Sequence, residues 1–525
     1  MNKQKKYFRK NLGIILFLFL FIALVTFGYI YLRDGDKEET VEVKGKNSVI
    51  DTRINLGITN YDSMNPHLTQ NKDILQIDNL IFEGLFRITK DYNIEPCLIE
   101  EWSKISDTRY IFKLKDNVKW SDGKTLTAKD IKFTIENIKS KDKSIYRDNM
   151  LNIMDVDLVD DQIFSIEFKK DISFIEYQLL FPIVQKECNK EIEEGKRIPV
   201  GTGMFKISEI TDDEIILITN ENYWNFTYAM PKIKEIIVKI YENKGKIYTE
   251  FIKGNIDLIE TKNADFTEYI GDIGYNKMEY KNRRLEYISF NCDSKRLCDK
   301  EMRKALNYLV NKKEILEQLD NKVYISEFLL DYGRYESNND YNVPEYDPNK
   351  ARDILNNLGW KFIDDFWVKD ENVLQFELAV EKDDKEAFGV ANIIKTQLEN
   401  FGIKIDLKEL KYFEYKKVLQ EHDYEILLVG MYNGFSPDLI GFFGDNNLAN
   451  YESCDIKKKI LELNERNTSE IQNLYKKIIN IYYDEVPYIS LYRGKSYIIY
   501  SKKLIGEISP NDYNIFYNFD KWYKK

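Results

Sequence analysis

Residues 100–138 read EEWSKISDTRYIFKLKDNVKWSDGKTLTAKDIKFTIENI. The stretch is written as strand, turn and helix. Tyr110, Phe112 and Leu114 alternate with Lys113 and Lys115, the period of a half-buried strand. Ser121-Asp122-Gly123 supplies turn chemistry. Thr127 followed three residues later by Asp130 is a capping box, in which the acid reaches back to an unpaired amide. Ile131, Ile135 and Ile138 then share one helical face. All of these signals specify scaffold.

Outward from this stretch the chain is long, at 525 residues. That is too much for one hydrophobic core, so two or three lobes are expected. Apolar residues make up 43% and charged residues 31%, a globular balance rather than a disordered one. The 37 Tyr and 30 Phe are a surplus of rigid aromatic surface, available to core or to a binding cleft. Net charge is −11, and −16 once the five bases of the first ten residues are set aside. An acidic body argues against nucleic acid as a partner.

The N-terminus carries Lys3, Lys5, Lys6, Arg9 and Lys10, followed by residues 12–32 without a charge. This run has the length of a membrane-spanning helix, about 20 residues. Its basic flank predicts a cytoplasmic start and an outside body. A cleaved signal peptide is the alternative, although no A-x-A site follows. The first cysteine is Cys97, so no cysteine near the run can be lipid-modified. Residues 34–47 are charged and read as a tether. Cys292 and Cys298 could pair across a loop, but nothing else suggests a disulfide-built protein.

Further along, residues 54–58 read as a first strand and 74–86 as a helix. Residues 199–203 form a Gly-rich turn that lets two backbones approach or makes a backbone wall beside a ligand. Residues 285–291 read as a strand. Strand 374–380, helix 385–401 and strand 403–410 make a βαβ unit, hence parallel pairing. The apolar run 424–429 suits a buried strand, and the loop after it, 433–438, sits where α/β sheets bind ligands.

Several chemistries are missing. With only His67 and His422, a Ser-His-Asp hydrolase has few candidates for its base. Gly434-Phe435-Ser436-Pro437-Asp438 has Asp where a nucleophile elbow needs Gly. There is no phosphate loop and no Cys/His cluster with metal spacing. No metal or cofactor is implied.

The chain resembles the family 5 extracellular solute-binding proteins, the oligopeptide- and dipeptide-binding class of ABC importers. The resemblance rests on Glu101-Trp102, Phe112-Lys113-Leu114 and Lys119-Trp120-Ser121-Asp122-Gly123-Lys124. Asn65-Pro66, Phe82-Glu83-Gly84-Leu85, Gly201 to Phe205, Asn222-Tyr223-Trp224, Gly254-Asn255-Ile256-Asp257, Arg303 to Leu306 and Tyr346-Asp347-Pro348 follow in family order. It implies a three-lobed α/β periplasmic-binding-protein-like fold with a hinge, preceded here by one transmembrane helix. Residues 1–11 would be a cytoplasmic flank, 12–32 the anchor and 33–48 a tether. Lobe I would comprise 49–70, 181–283 and 489–525, the extra lobe II 71–180, and lobe III 284–488.

The resemblance also implies a monomeric, non-enzymatic protein. It would bind a peptide or related small solute and hand it to ABC permease subunits. A tethered ligand sensor and an extracellular hydrolase are the alternatives. Carried over, the ligand residues are Tyr61, Ser63, Asn65 and Glu83, then Gly203, Met204 and Phe205, Asn291, and Asn433, Gly434, Phe435, Ser436 and Asp438. One departure stands out. Where the family's loop carries an acid for a peptide's amino group, this chain has Gly434 or Asn433, with Asp438 as the nearest substitute.

Overall fold

The computed structural model describes residues 51–525 apart from 173, 188, 194–196, 263–273, 321, 331–342 and 464–467. The flank, anchor and tether expected at 1–48 lie outside the described residues. Among the described residues no helix is long and apolar enough to cross a membrane.

In the strand Arg109–Leu114 alternation decides which side faces inward: Tyr110, Phe112 and Leu114 are buried, their neighbours less so. It is the second strand of an antiparallel sheet ordered Ile99–Lys104, Arg109–Leu114, Ile163–Phe168, Ile153–Leu158. Phe112 stands opposite Phe164 with the rings stacked at 5.3 Å. After the strand, Gly123 takes φ +88°, a conformation that suits glycine, and its amide donates to Trp120 O at 2.8 Å. Trp120 is 1% exposed. Asp130 Oδ2 accepts from the Thr127 amide at 3.0 Å. The helix Ala128–Lys139 then buries Ile131, Ile135 and Ile138. Asp122 fastens this turn to its surroundings, accepting from Gln185 Nε2 at 3.2 Å and Arg197 at 3.3 Å.

A second sheet has the order Arg53–Thr59, Glu235–Tyr241, Glu214–Thr219, Phe205–Ile210, its first pair parallel. The helix Lys72–Ile81 packs on it through Ile74, Ile77 and Ile81. The turn before Phe205 presses against the end of this helix. The Gly203 amide donates to Ile81 O at 2.8 Å, and a Cβ on Gly201 would lie 1.9 Å from the same oxygen. Close backbone approach is therefore what the two glycines permit.

The largest sheet has seven strands. The βαβ unit is present: Gln375–Glu381 pairs parallel with Lys404–Leu410 across the helix Lys385–Asn400. Ile426–Tyr432 adds parallel to Gln375–Glu381 and antiparallel to Tyr275–Phe290. Both faces are covered. Ile288, Phe290, Leu378, Val380, Ile426 and Leu428 enter one core. Leu285, Tyr287, Ala379, Leu427 and Val429 enter the other. The strand expected at 285–291 begins ten residues earlier, at Tyr275, and runs against Tyr488–Ser501. Its first half is mostly polar, so only the long partner strand makes it a strand. The pairing slips between Lys281 and Leu285, dividing the ribbon into two halves. Cys292 and Cys298 are free.

Candidate functional site

Where these sheets meet there is a cavity of about 880 Å³. Its longest wall is the helix Lys72–Ile81 with the segment after it, to Ile88. Asn71 starts that helix by accepting from the Asp73 and Ile74 amides. Asn79 Nδ2 donates to Tyr513 O at 3.2 Å, and Gln76 Oε1 accepts from the Ile515 amide at 2.8 Å. These bonds fix the helix to the C-terminal segment 512–520, an adjoining wall.

The polar groups of the cavity are mostly committed. Glu83 Oε2 accepts from Trp224 Nε1 at 2.9 Å, and Oε1 from the Cys97 thiol at 3.6 Å. Burial lifts the Glu83 carboxyl above its ordinary range, against the pull of the Trp224 bond. Arg87 pairs with Glu95 at 2.6 Å. Glu260 accepts from Tyr280 OH at 2.7 Å. Arg283 leaves the slipped part of the long strand, binding Asp512 at 2.8 Å and Asn433 O at 2.6 Å. Its guanidinium carbon lies 3.7 Å over the Phe435 ring, a cation–π contact. Phe435 in turn meets Tyr513 edge-on at 5.0 Å. Lys72 and Lys262 each lie 4.8 Å from the Tyr432 ring centre. Asp78 stands in the wall 3% exposed, and neither of its carboxylate oxygens has a hydrogen-bond partner.

Of the residues expected at the ligand, Glu83, Gly203, Met204, Gly434, Phe435 and Ser436 line the cavity. Seven do not, and each has another occupation. Tyr61 packs against the core of the second sheet. Ser63 Oγ accepts from the Asn65 amide at 3.0 Å, and Asn65 Oδ1 from the His67 amide at 2.9 Å. Phe205 is 0% exposed, edge-on to Phe519. Asn291 donates to the carbonyls of His422 and Tyr424. Asn433 donates to Leu329 O at 2.7 Å. Asp438 accepts from the Ile440 amide at 2.8 Å and does not reach the cavity. The expected substitute for the missing loop acid is thus occupied elsewhere.

Sequence reasoning missed Asp78, Arg283, Tyr432 and the segment 512–520. A signal existed for Asp78: it interrupts the run Ile74-Leu75-Gln76-Ile77-Asp78-Asn79-Leu80-Ile81 as its only charge.

The family description "Bacterial extracellular solute-binding proteins, family 5 Middle" matches residues 93–449. The chain belongs to this family. Family 5 members are solute-binding proteins of ABC importers, not enzymes. The oligopeptide-binding protein AppA of Bacillus subtilis is 23% identical over 497 residues, covering 85% of this chain and 87% of AppA. Heme-binding protein A of Haemophilus influenzae is 24% identical over 469 residues, 81% of this chain and 84% of the relative. The crystal structure of NikZ from Campylobacter jejuni with Ni(L-His) superposes with a TM-score of 0.65 at 23% identity, covering 91% of this chain and all of NikZ. The mixed α/β periplasmic-binding-protein-like fold of this family 5 protein is thereby established. The ligands these relatives are named for range over peptide, heme and nickel.

Proposed function

We propose that this family 5 protein captures a peptide in the cavity and delivers it to an ABC permease on the outer face of a membrane. The observation that carries the reading is how the cavity is walled. Segments 145–149 and 177–182 flank the four-stranded antiparallel sheet, Gly203 and Met204 lead into the second sheet, and Arg283 and Tyr432 belong to the largest. A cavity made where three sheets meet opens and closes as they move, which is how hinged binding proteins take up and release solute. The sheets then correspond to lobes near the boundaries 49–70, 181–283 and 489–525, 71–180, and 284–488. The uncharged run 12–32 serves as the membrane anchor, with 33–48 as the tether.

Peptide is favoured over a histidine-held metal by where the two histidines are. His67 Nε2 lies 2.8 Å from Pro182 O, and His422 Nδ1 lies 2.7 Å from Asn450 Oδ1. Neither lines the cavity, and burial lowers His67 to about 4, keeping it neutral. Aromatic and apolar walls with a few charges of both signs suit a short peptide, whose size matches ligand cavities of about 300–1,000 Å³. Glu83, Gly203, Met204, Gly434, Phe435 and Ser436 are the contacts assigned.

The test is mass spectrometry of the solute released when the purified protein is denatured. Intact peptide is the expected result. Heme, a nickel chelate or a peptide cleaved during storage with the protein would overturn the reading. Uptake of the recovered peptide should also fall when the protein is deleted from its host.

A further inference from the structure

Asp78 presents a problem that folding alone does not answer. It is 3% exposed on the wall helix, whose other buried residues are Ile74, Ile77, Leu80 and Ile81, and both its oxygens lack a partner. A buried carboxylate without donors is costly to keep ionised. Asp62, on the loop after the first strand, offers no donor and already accepts from Thr69 Oγ1 at 2.6 Å and the Gln70 amide at 2.7 Å. Burial, and then the Asp62 charge, push the Asp78 carboxyl well above the ordinary range, toward the neutral acid.

Among the cavity's other acids, Glu83, Glu260 and Asp512 accept from Trp224, Tyr280 and Arg283, and Asp520 is half-buried and keeps solvent. Only Asp78 combines burial with two open acceptors. Tyr146, Phe435 and Tyr513 line the same cavity, and Tyr513 meets Phe435 edge-on. Burial raises both phenols, so they stay neutral. A carboxylate beside aromatic rings is suited to a cation, through charge-assisted hydrogen bonds and ring faces together.

We propose that Asp78 is the acceptor for a cationic nitrogen of the solute, and so selects ligands that carry an ammonium group near the wall helix. The inference rests on the reading of this cavity as the solute site. A ligand's α-ammonium and the side-chain ammonium of a lysine share this chemistry. Burial favours the protonated acid and a bound cation the carboxylate, so cation binding draws a proton off Asp78 to the extent that the acid holds one.

The experiment uses the solute-stripped protein, wild type and Asp78→Asn, with four probes. These are a pool of tripeptides with free amino termini and no lysine or arginine, the same pool N-acetylated, an N-acetylated pool with one internal lysine, and a pool of aliphatic diamines. Bound members are identified by mass spectrometry, and affinities and proton release are measured by calorimetry in two buffers of different ionisation enthalpy. Wild type should prefer free-amine or lysine-bearing members over the plain acetylated pool at least tenfold. Asp78→Asn should lose that preference and the proton release, while melting no lower than wild type.

If the free amine alone is preferred, the α-ammonium is the source; if the internal lysine alone, the side chain. Binding of diamines but no tripeptide would leave Asp78 in this role and overturn the peptide reading. Equal binding of all three tripeptide pools, a preference retained by Asp78→Asn, or no cation-dependent binding at all would overturn the proposal.

Discussion

Residues 100–138 and residues 72–88 lie side by side in sequence and divide the labour of the molecule. The first stretch has an alternating strand, a turn with Gly123 in a left-handed conformation, a capping box and an amphipathic helix. It contributes nothing to the cavity wall. The second is a short helix and an extended tail, and it makes the longest wall. In the first, polar residues find partners, Asp130 at Thr127 within the stretch and Asp122 at Gln185 and Arg197 beyond it. In the second, Asp78 is left without a partner. Local signals are strong where the polar groups of a segment are satisfied, and a candidate site is left where one of them is not.

Replacing the core of the first region is the most severe way to test the division. Trp120→Ala should cost about 3–5 kcal/mol, the usual loss for a large buried ring, seen as a lower urea midpoint. The folded fraction should bind the same solutes with the same preference. A changed ligand profile would break the contrast.

Gly203→Ala works at the join between wall and sheet. Its Cβ would lie 2.5 Å from Leu80 O, so the wall helix must shift. We expect a loss of about 1–3 kcal/mol from overpacking, together with weaker solute binding by calorimetry. Lost stability with unchanged affinity would show that the cavity does not depend on this contact.

A control lies on the long strand, outside the cavity lining. Glu286 is 0% exposed. Burial pushes its carboxyl up to about 8, against the attraction of Arg284 and with repulsion from Asp384 and Glu386. Between about 4.5 and about 8 the folded chain holds a proton that the unfolded chain has lost. Stability present at low pH is therefore lost as pH rises through that window. Glu286→Gln should flatten the fall in melting temperature between pH 5 and pH 8, leaving solute choice intact. An unchanged slope would count against this assignment.

The mildest change is Asp122→Ala. Its carboxylate is partly exposed, so the loss of its bonds should cost about 1 kcal/mol. Affinity should not move, as titration with the recovered solute would show.

The sequence was most legible where periodicity is local. The strand at Arg109–Leu114, the Thr127–Asp130 box and the βαβ unit around Lys385–Asn400 all follow from side-chain spacing. The half-strand Tyr275–Lys281 does not, because its polar residues pair only through a partner more than 200 positions away. The cavity lining was half legible for a related reason. Asn65, Asn291, Asn433 and Asp438 are the polar loop residues that suggest binding, yet each holds backbone in place. Arg283 and the segment 512–520 reach the cavity only through tertiary contacts that no sequence window contains.

Hydrogen–deuterium exchange of the protein with and without the solute it retains on purification tests the central claim most directly. Protection should rise over residues 72–88, 203–204, 432–436 and 512–520, with residues 100–138 unchanged. Protection confined to 100–138, with the cavity walls unaffected, would contradict the account.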